Sequence, residues 1–251
     1  MTMSHRFFLP PELLKTSEIL FPPDTARQIA RVLRLRPGAR VIALDNAGQQ
    51  AEVELTAVTT NAVEGRVVRV STAGGEPRAR LTLYLGLTQR EKFEWMLQKC
   101  TEVGAAAFVP LVTQRSLVQD GREVERKRDR WEAILREAAE QCGRGRIPAL
   151  RPTETWATAL RGIHAGHDLA LAAWEGEHAL RLRDAVRALK KNPIPRLAVL
   201  IGPEGGLSEE EIDAARAAGV QAVSLGKRIL RMETAAVVAA ALALNELEEE
   251  E

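Results

Sequence analysis

The chain has 251 residues, of which 45% are hydrophobic and 27% charged, a composition that suits a soluble globule of one large domain or two modest ones. Only two cysteines occur, Cys100 and Cys142, both in segments that read as helices, which argues against a disulfide framework and fits a reducing compartment. No run approaches the roughly 18 apolar residues of a membrane helix and no apolar signal-peptide core opens the chain, so membrane attachment is not expected and the cytoplasm is the expected location.

The formal charge is only +1, but Glu246 and Glu248 to Glu251 place five acids at the C-terminus, leaving +6 on the rest. Nucleic acid is bound by clustered Lys and Arg acting locally, so this hidden basicity matters more than the total. One cluster lies in Gln141 to Arg151, with Arg144, Arg146 and Arg151 and no acid; another is Lys227, Arg228 and Arg231.

In chain order, Asp24 can cap a helix over DTARQIARVLRL, where Ile29, Val32 and Leu33 share a face, and Pro37-Gly38 stops it. Three β-type runs follow, RVIALD, AEVELTAV and VEGRVVRV, with Asp45-Asn46-Ala47-Gly48 as a turn between the first two. Residues 1–72 therefore read as a small, mostly β domain, and Ser71 to Arg78 as linker material. Beyond it the texture changes. The apolar runs LTLYLGL, AFVPLV, DLALAAW, RLAVLIG and QAVSL alternate with helical segments, as in a mainly parallel sheet, so residues 73–251 read as an α/β domain. In REKFEWMLQKCTEVG the residues Phe93, Met96, Leu97, Cys100 and Val103 keep the helical period up to Gly104. In ERKRDRWEAILREAAEQC, Trp131, Ile134, Leu135 and Ala138 do the same against a charged opposite face.

Two loops after strands could carry chemistry. Ile201-Gly202-Pro203-Glu204-Gly205-Gly206-Leu207 follows the run RLAVL, and Ser208 with Glu211 forms a capping box for the next helix, which Gly219 can close. Seen alone, such a loop is more often a connector. A phosphate site would use the helix amides, yet Glu209, Glu210 and Glu211 fill that first turn and Glu204 sits in the loop, so negative charge opposes a nucleotide triphosphate. Neither GxxxxGK[ST] nor an early GxGxxG is present. A cationic, phosphate-free ligand such as S-adenosyl-L-methionine fits better. The second loop, Ser224 to Ala235 (SLGKRILRMETA), leads into the apolar helix TAAVVAAALALNEL, and Ile229 and Leu230 stand among basic residues as if to cover a ligand.

The strings HRFF (His5 to Phe8), RVLRLRPG (Arg31 to Gly38), EKFEWMLQKCTEVG, EAAEQCGRGRIP (Glu137 to Pro148), IGPEGG and LGKRILRMETA together resemble the RsmE family of the SPOUT superfamily, in that family's order from His5 to Ala235. The resemblance implies a PUA-like β-barrel for RNA over 1–72, then a SPOUT α/β domain over 73–251 whose C-terminal chain threads a trefoil knot. It also implies a homodimer that uses S-adenosyl-L-methionine to methylate N3 of a uridine in 16S ribosomal RNA, in the decoding region of the small (30S) subunit, giving 3-methyluridine. By the same carry-over the cofactor cleft resembles three loops. These supply Ala172, Ala173, Trp174 and Glu175, then Ile201, Gly202, Pro203, Gly205 and Gly206, then Leu225, Gly226, Ile229, Leu230, Thr234 and Ala235.

Uracil N3 attacks a methyl group well only after losing its proton. Arg231 is the candidate to stabilise charge on the flanking carbonyl oxygens, and Glu204 or Glu233 the candidate base. Holding the reactants in line can itself supply much of the acceleration. For RNA, Arg6, Arg31, Arg34, Arg115, Arg144 and Arg146 are nominated, each with the alternative of an ordinary solvated arginine. His164 and His167 lack neighbouring cysteine or matched carboxylates, so no metal is expected, and neither cysteine has an adjacent histidine to activate it. Two other readings stay open: an RNA-binding assembly protein without the reaction, and a SPOUT enzyme acting on another base or on a ribose hydroxyl.

Overall fold

In a computed structural model of the chain, residues 5–119, 124–189 and 193–248 are described. They divide into two compact units, one comprising residues up to Glu76 together with Arg136–Ile147, the other Pro77–Leu135 and the residues from Pro148 onward.

The β-type runs of the first unit form β1 (Arg6–Phe8), β2 (Glu18–Leu20), β3 (Arg40–Leu44), β4 (Gln49–Val58) and β5 (Val63–Thr72), in the order β1-β3-β4-β5-β2. Only β1 and β3 run parallel. The period-two pattern does its expected work in β4, where Ala51, Val53 and Leu55 are buried and their neighbours are not. Those side chains join Phe7, Ile19, Phe21 and Ile29 in one core. The predicted turn is present: Asn46 and Gly48 take positive φ, and the Asp45 carboxylate accepts from the amides of Ala47 (2.7 Å) and Gln49 (2.8 Å).

Two expectations need correction here. The helix starts at Pro23, with Pro22 rather than Asp24 at the cap position, because proline's fixed φ suits the first helical turn and its missing N–H costs nothing there. This helix α1 (Pro23–Arg27) continues as one π-helical turn, Gln28–Val32, and ends at Arg34 (φ +52°), before Pro37 is reached. Second, the cut at residue 72 omits Arg136–Ile147 from the first unit. The reason is polar: the Phe8 amide donates to the Glu140 carboxylate (2.9 Å), the Ile147 amide to the Asn46 side chain (2.7 Å), and Arg144 forms an ion pair with Glu76 (2.7 Å). Burial pushes the Glu140 carboxyl above its ordinary value.

The second unit is built on β6 (Arg80–Gly86), β7 (Ala107–Val112), β8 (Ala149–Leu150), β9 (Glu154–Thr155), β10 (Leu169–Ala173), β11 (Arg196–Ile201) and β12 (Gln221–Val223). All pairings are parallel, in the order β12-β10-β11-β6-β7-β8, with β9 also beside β7. Strands of such a sheet are covered on both faces, and β6 and β11 are accordingly almost wholly buried. The connecting helices are α2 (Arg90–Val103), α3 (Arg128–Cys142, whose second half belongs to the first unit), α4 (Trp156–Gly166), α5 (Leu182–Val186), α6 (Glu209–Ala217) and α7 (Met232–Leu247). Helix α2 ends at Gly104 in the left-handed region, as its sequence predicts. Phe93 and Trp131 stack with ring centroids 4.4 Å apart. Helices α4 and α6 cover one face of the sheet through Trp156, Leu160, Ile163 and Ile212, and α7 packs on α2 and α5. Among the described residues no helix is long and apolar enough to cross a membrane.

Candidate active site

The carboxyl ends of β10, β11 and β12 release three loops that enclose a cavity of about 650 Å³ within the second unit. Ligands of open parallel sheets occupy this position because the chain reverses direction there and leaves a crevice. The loop after β11 folds tightly on itself, with the Gly206 amide donating to the Pro203 carbonyl (2.9 Å) and Gly206 at φ +71°. Its approach to β6 is closer still. A Cβ on Gly86 would lie 2.6 Å from the Pro203 nitrogen, so only glycine allows that strand end to touch the loop.

The exit of the same loop is fixed by the capping box foreseen in the sequence. The Glu211 amide donates to Ser208 Oγ (3.2 Å) and the Ser208 amide to Glu211 Oε2 (3.0 Å), while Gly219 (φ +82°) closes α6. After β12, Ser224 Oγ accepts from the Gly226 amide (3.2 Å), and Gly226 needs its glycine for backbone reasons alone, at φ +127° with open space around it. Arg231 then stands at the cap position of α7. The third wall comes from β10, whose following Trp174 donates its amide to the Val223 carbonyl (3.1 Å) and carries the Arg216 guanidinium 5.4 Å from its ring centroid. Glu177 holds this loop by accepting from the amides of Ala179 (2.8 Å) and Leu180 (3.2 Å), and these bonds keep its carboxyl below the ordinary range.

Of the residues nominated for the cleft, Ala173, Trp174, Glu175, Ile201, Gly202, Pro203, Gly205, Gly206, Leu225, Gly226, Ile229, Leu230 and Ala235 line the cavity. Ala172 and Thr234 do not: Ala172 is wholly buried in the sheet interior, and Thr234 lies exposed on α7. Glu204, Arg231 and Glu233 also line the cavity, giving it carboxylates and cations together. Glu204 is not free, however. Its carboxylate meets the Lys92 ammonium at 2.8 Å, and although burial alone would raise its pKa, this pairing holds it below the ordinary value. A carboxylate paired in this way is a weaker proton acceptor than a free one, which weighs against Glu204 as the base.

Sequence reasoning missed Lys92 and His178 as lining residues, and had Ser224, Lys227, Arg228 and Met232 in the second loop without nominating them as contacts. Lys92 could not have been found by pattern, since it is one of several charges on an amphipathic helix and reaches the cavity only because β6 ends beside the glycine loop. Among the arginines nominated for RNA, Arg31 and Arg34 are exposed. Arg6 is half-buried and lies against Gly143, and Arg146 donates to the Ala47 carbonyl. Arg144 is a correction: it is 2% exposed and its guanidinium is engaged with Glu76, so it is a structural cation with no surface to offer phosphate. Arg115 is exposed in the second unit and donates to the Gly205 carbonyl (2.8 Å). His164 and His167 each contact a backbone carbonyl, of Ala218 and Ile163 respectively.

A parallel sheet with a cleft of glycine turns at its carboxyl end, in a chain that also carries a separate small β unit, defines an α/β methyltransferase of SPOUT-like fold with an N-terminal PUA domain. Residues 75–244 match the family described as an RNA methyltransferase domain, and residues 22–68 match an RNA methyltransferase PUA domain. Ribosomal RNA small subunit methyltransferase E of Bacillus subtilis is 31% identical over 86% of this chain and 85% of its own, and that of Synechocystis is 33% identical over 95% and 77%. A crystal structure of the same-named protein from Neisseria gonorrhoeae, bound to S-adenosyl methionine, superposes with a TM-score of 0.84 at 30% identity, covering 95% of this chain and 96% of that one. The chain belongs to the ribosomal RNA small subunit methyltransferase E (RsmE) family.

Proposed function

We propose that this protein transfers a methyl group from S-adenosyl-L-methionine to N3 of a uridine in 16S ribosomal RNA, in the decoding region of the small subunit, giving 3-methyluridine. The observation that carries the reading is the cavity: two glycine turns present backbone groups, and the adjoining helix start is filled with Glu209, Glu210 and Glu211. Acids at a helix N-terminus neutralise the dipole and repel phosphate, while a cationic sulfonium is accepted. The residues present therefore fit a phosphate-free donor, the ligand named for the N. gonorrhoeae relative.

When bound, that donor supplies a methyl group on a positively charged sulfur. The chain's own task is to hold the uracil edge in line with it, which needs orientation more than covalent chemistry. Arg231, exposed and lining the cavity, is our candidate to stabilise negative charge on the uracil carbonyl oxygens as N3 loses its proton. With Glu204 paired to Lys92, the lining carboxylates left are Glu175 and Glu233, and Glu233, in the first turn of α7 beside Arg231, is our candidate to accept that proton. Trp174, braced by Arg216, adds an aromatic wall to the cavity.

The same reading includes a homodimer and a trefoil knot. Helix α7 supports the first: it is apolar nearly all round, with Val237, Val238 and Leu242 only half-buried, while the knot rests on the family resemblance. The place of action is the cytoplasm, where the small subunit is assembled. Mass-spectrometric mapping of ribosomal RNA from cells with and without the gene tests the function. Loss of one 3-methyluridine near the decoding region is expected; a modification map unchanged by deletion refutes it.

A further inference from the structure

We propose that Arg115 is a positioning residue that latches the Gly205–Gly206 peptide of the cavity in a single orientation; this rests on the reading of the cavity as the methyl-donor site. A peptide flanked by two glycines has almost no intrinsic preference to keep it from rotating, since neither side carries a Cβ to restrict φ and ψ. Something outside the loop must therefore hold it. One polar end, the Gly206 amide, is taken by the Pro203 carbonyl at 2.9 Å. The other, the Gly205 carbonyl, is taken by the Arg115 guanidinium at 2.8 Å. The aliphatic stem of Arg115 closes the same site sterically, because a Cβ on Gly205 would lie 3.1 Å from the Arg115 Cβ.

Arg115 is itself well anchored. It sits in the turn after β7, where the Thr113 amide donates to Ser116 Oγ (3.0 Å) and Gln119 Nε2 donates to the carbonyls of Thr113 (3.0 Å) and Ser116 (2.9 Å). The neighbouring Gln114 amide donates to Glu211 Oε1 at 2.8 Å, and the other oxygen of that carboxylate accepts from Ser208. One carboxylate thus joins the Arg115 turn to the start of α6. The glycine loop is held in its middle by Arg115 and at its exit by Glu211, and the Gly205 carbonyl is committed to protein.

The latch predicts a binding defect. Arg115→Ala frees the peptide to rotate, and re-fixing it on binding weakens affinity for S-adenosyl-L-methionine about tenfold by calorimetry. Turnover at saturating donor stays within about a factor of two of wild type, a split between affinity and rate that general destabilisation would not produce. Arg115→Lys, which retains one donor, recovers part of the affinity. The salt dependence of RNA binding is unchanged in both variants, whereas Arg31→Ala lowers its slope by about one unit. Unchanged donor affinity in Arg115→Ala overturns the latch, and if the salt slope also falls by about one, Arg115 is a phosphate contact instead. A wild-type protein that binds no donor overturns the reading of the cavity together with the latch, and so separates the two failures.

Discussion

Replacing Gly86 by alanine perturbs the cavity from behind, through Gly202 and Pro203, without changing any side chain that lines it. The new Cβ would lie 2.6 Å from the Pro203 nitrogen, 2.9 Å from the Gly202 carbonyl carbon and 2.9 Å from Pro203 Cδ. These are backbone and ring atoms, so no side chain can swing aside. Ordinary contact needs about 3.5 Å or more, and the loop after β11 must therefore retreat by roughly an ångström. Overpacking of this kind costs about 1–3 kcal/mol, and a melting midpoint falls by roughly 2–4 °C for each kcal/mol in a unit of this size. The larger effect is functional, since a 1 Å misplacement in a preorganised site lowers rate on the order of a hundredfold. Differential scanning calorimetry and single-turnover methyl transfer read the two effects separately. Gly162→Ala is the control: it lies within α4 with open space around its Cα, and alanine there raises stability by about 0.5–1 kcal/mol. A Gly86→Ala protein with wild-type melting and wild-type turnover would refute the argument from close approach.

Other consequences are open to simple measurement. Arg231→Ala is expected to lower the single-turnover rate at saturating RNA and donor by about 10²-fold, as for loss of one charge-stabilising donor, and an unchanged rate removes Arg231 from the chemical step. Glu76→Ala removes the ion pair of the 2%-exposed Arg144 and should cost roughly 1.5–3 kcal/mol in urea unfolding, whereas a cost near zero would show that the pair contributes nothing to stability. Burial holds His167 below its ordinary 6.5, so the unfolded chain takes up that proton at higher pH than the folded one. Its contribution to stability is complete above pH 6.5 and is lost as pH falls toward the lowered folded value; His167→Phe should flatten the stability curve below pH 6.5, and an unchanged slope would show that His167 is not its source.

What could be read from the sequence was whatever a local rule governs. The capping box at Ser208 and Glu211, the stop at Gly104, the turn at Asp45 to Gly48 and the strand runs of the parallel sheet each depend on residues within a few positions of one another, and each is found where the pattern puts it. The two glycine turns were legible as a site because strand, loop and helix start are contiguous. What escaped was set by contacts distant in sequence. Arg144 reads as one more basic residue of a glycine-rich run until Glu76, far upstream, is seen to bury its charge. The assignment of Arg136–Ile147 to the first unit follows from hydrogen bonds to Phe8 and Asn46, which no periodicity announces. Glu204 likewise reads as a free carboxylate until Lys92, in the first turn of α2, is found against it.

The strand order also bears on how the protein is made. β6 and β7 emerge from the ribosome early and can pair at once, but the other edge of β6 is completed only by β11, with Arg80 opposite Arg196 and Leu85 opposite Ile201. More than a hundred residues separate those partners, so at elongation rates of roughly 5–20 residues per second an apolar strand with an open flank persists on the order of ten seconds. Such a flank invites pairing with another nascent chain. During synthesis, then, β6 is the strand most open to mispairing, and it stays so until β11 has been made.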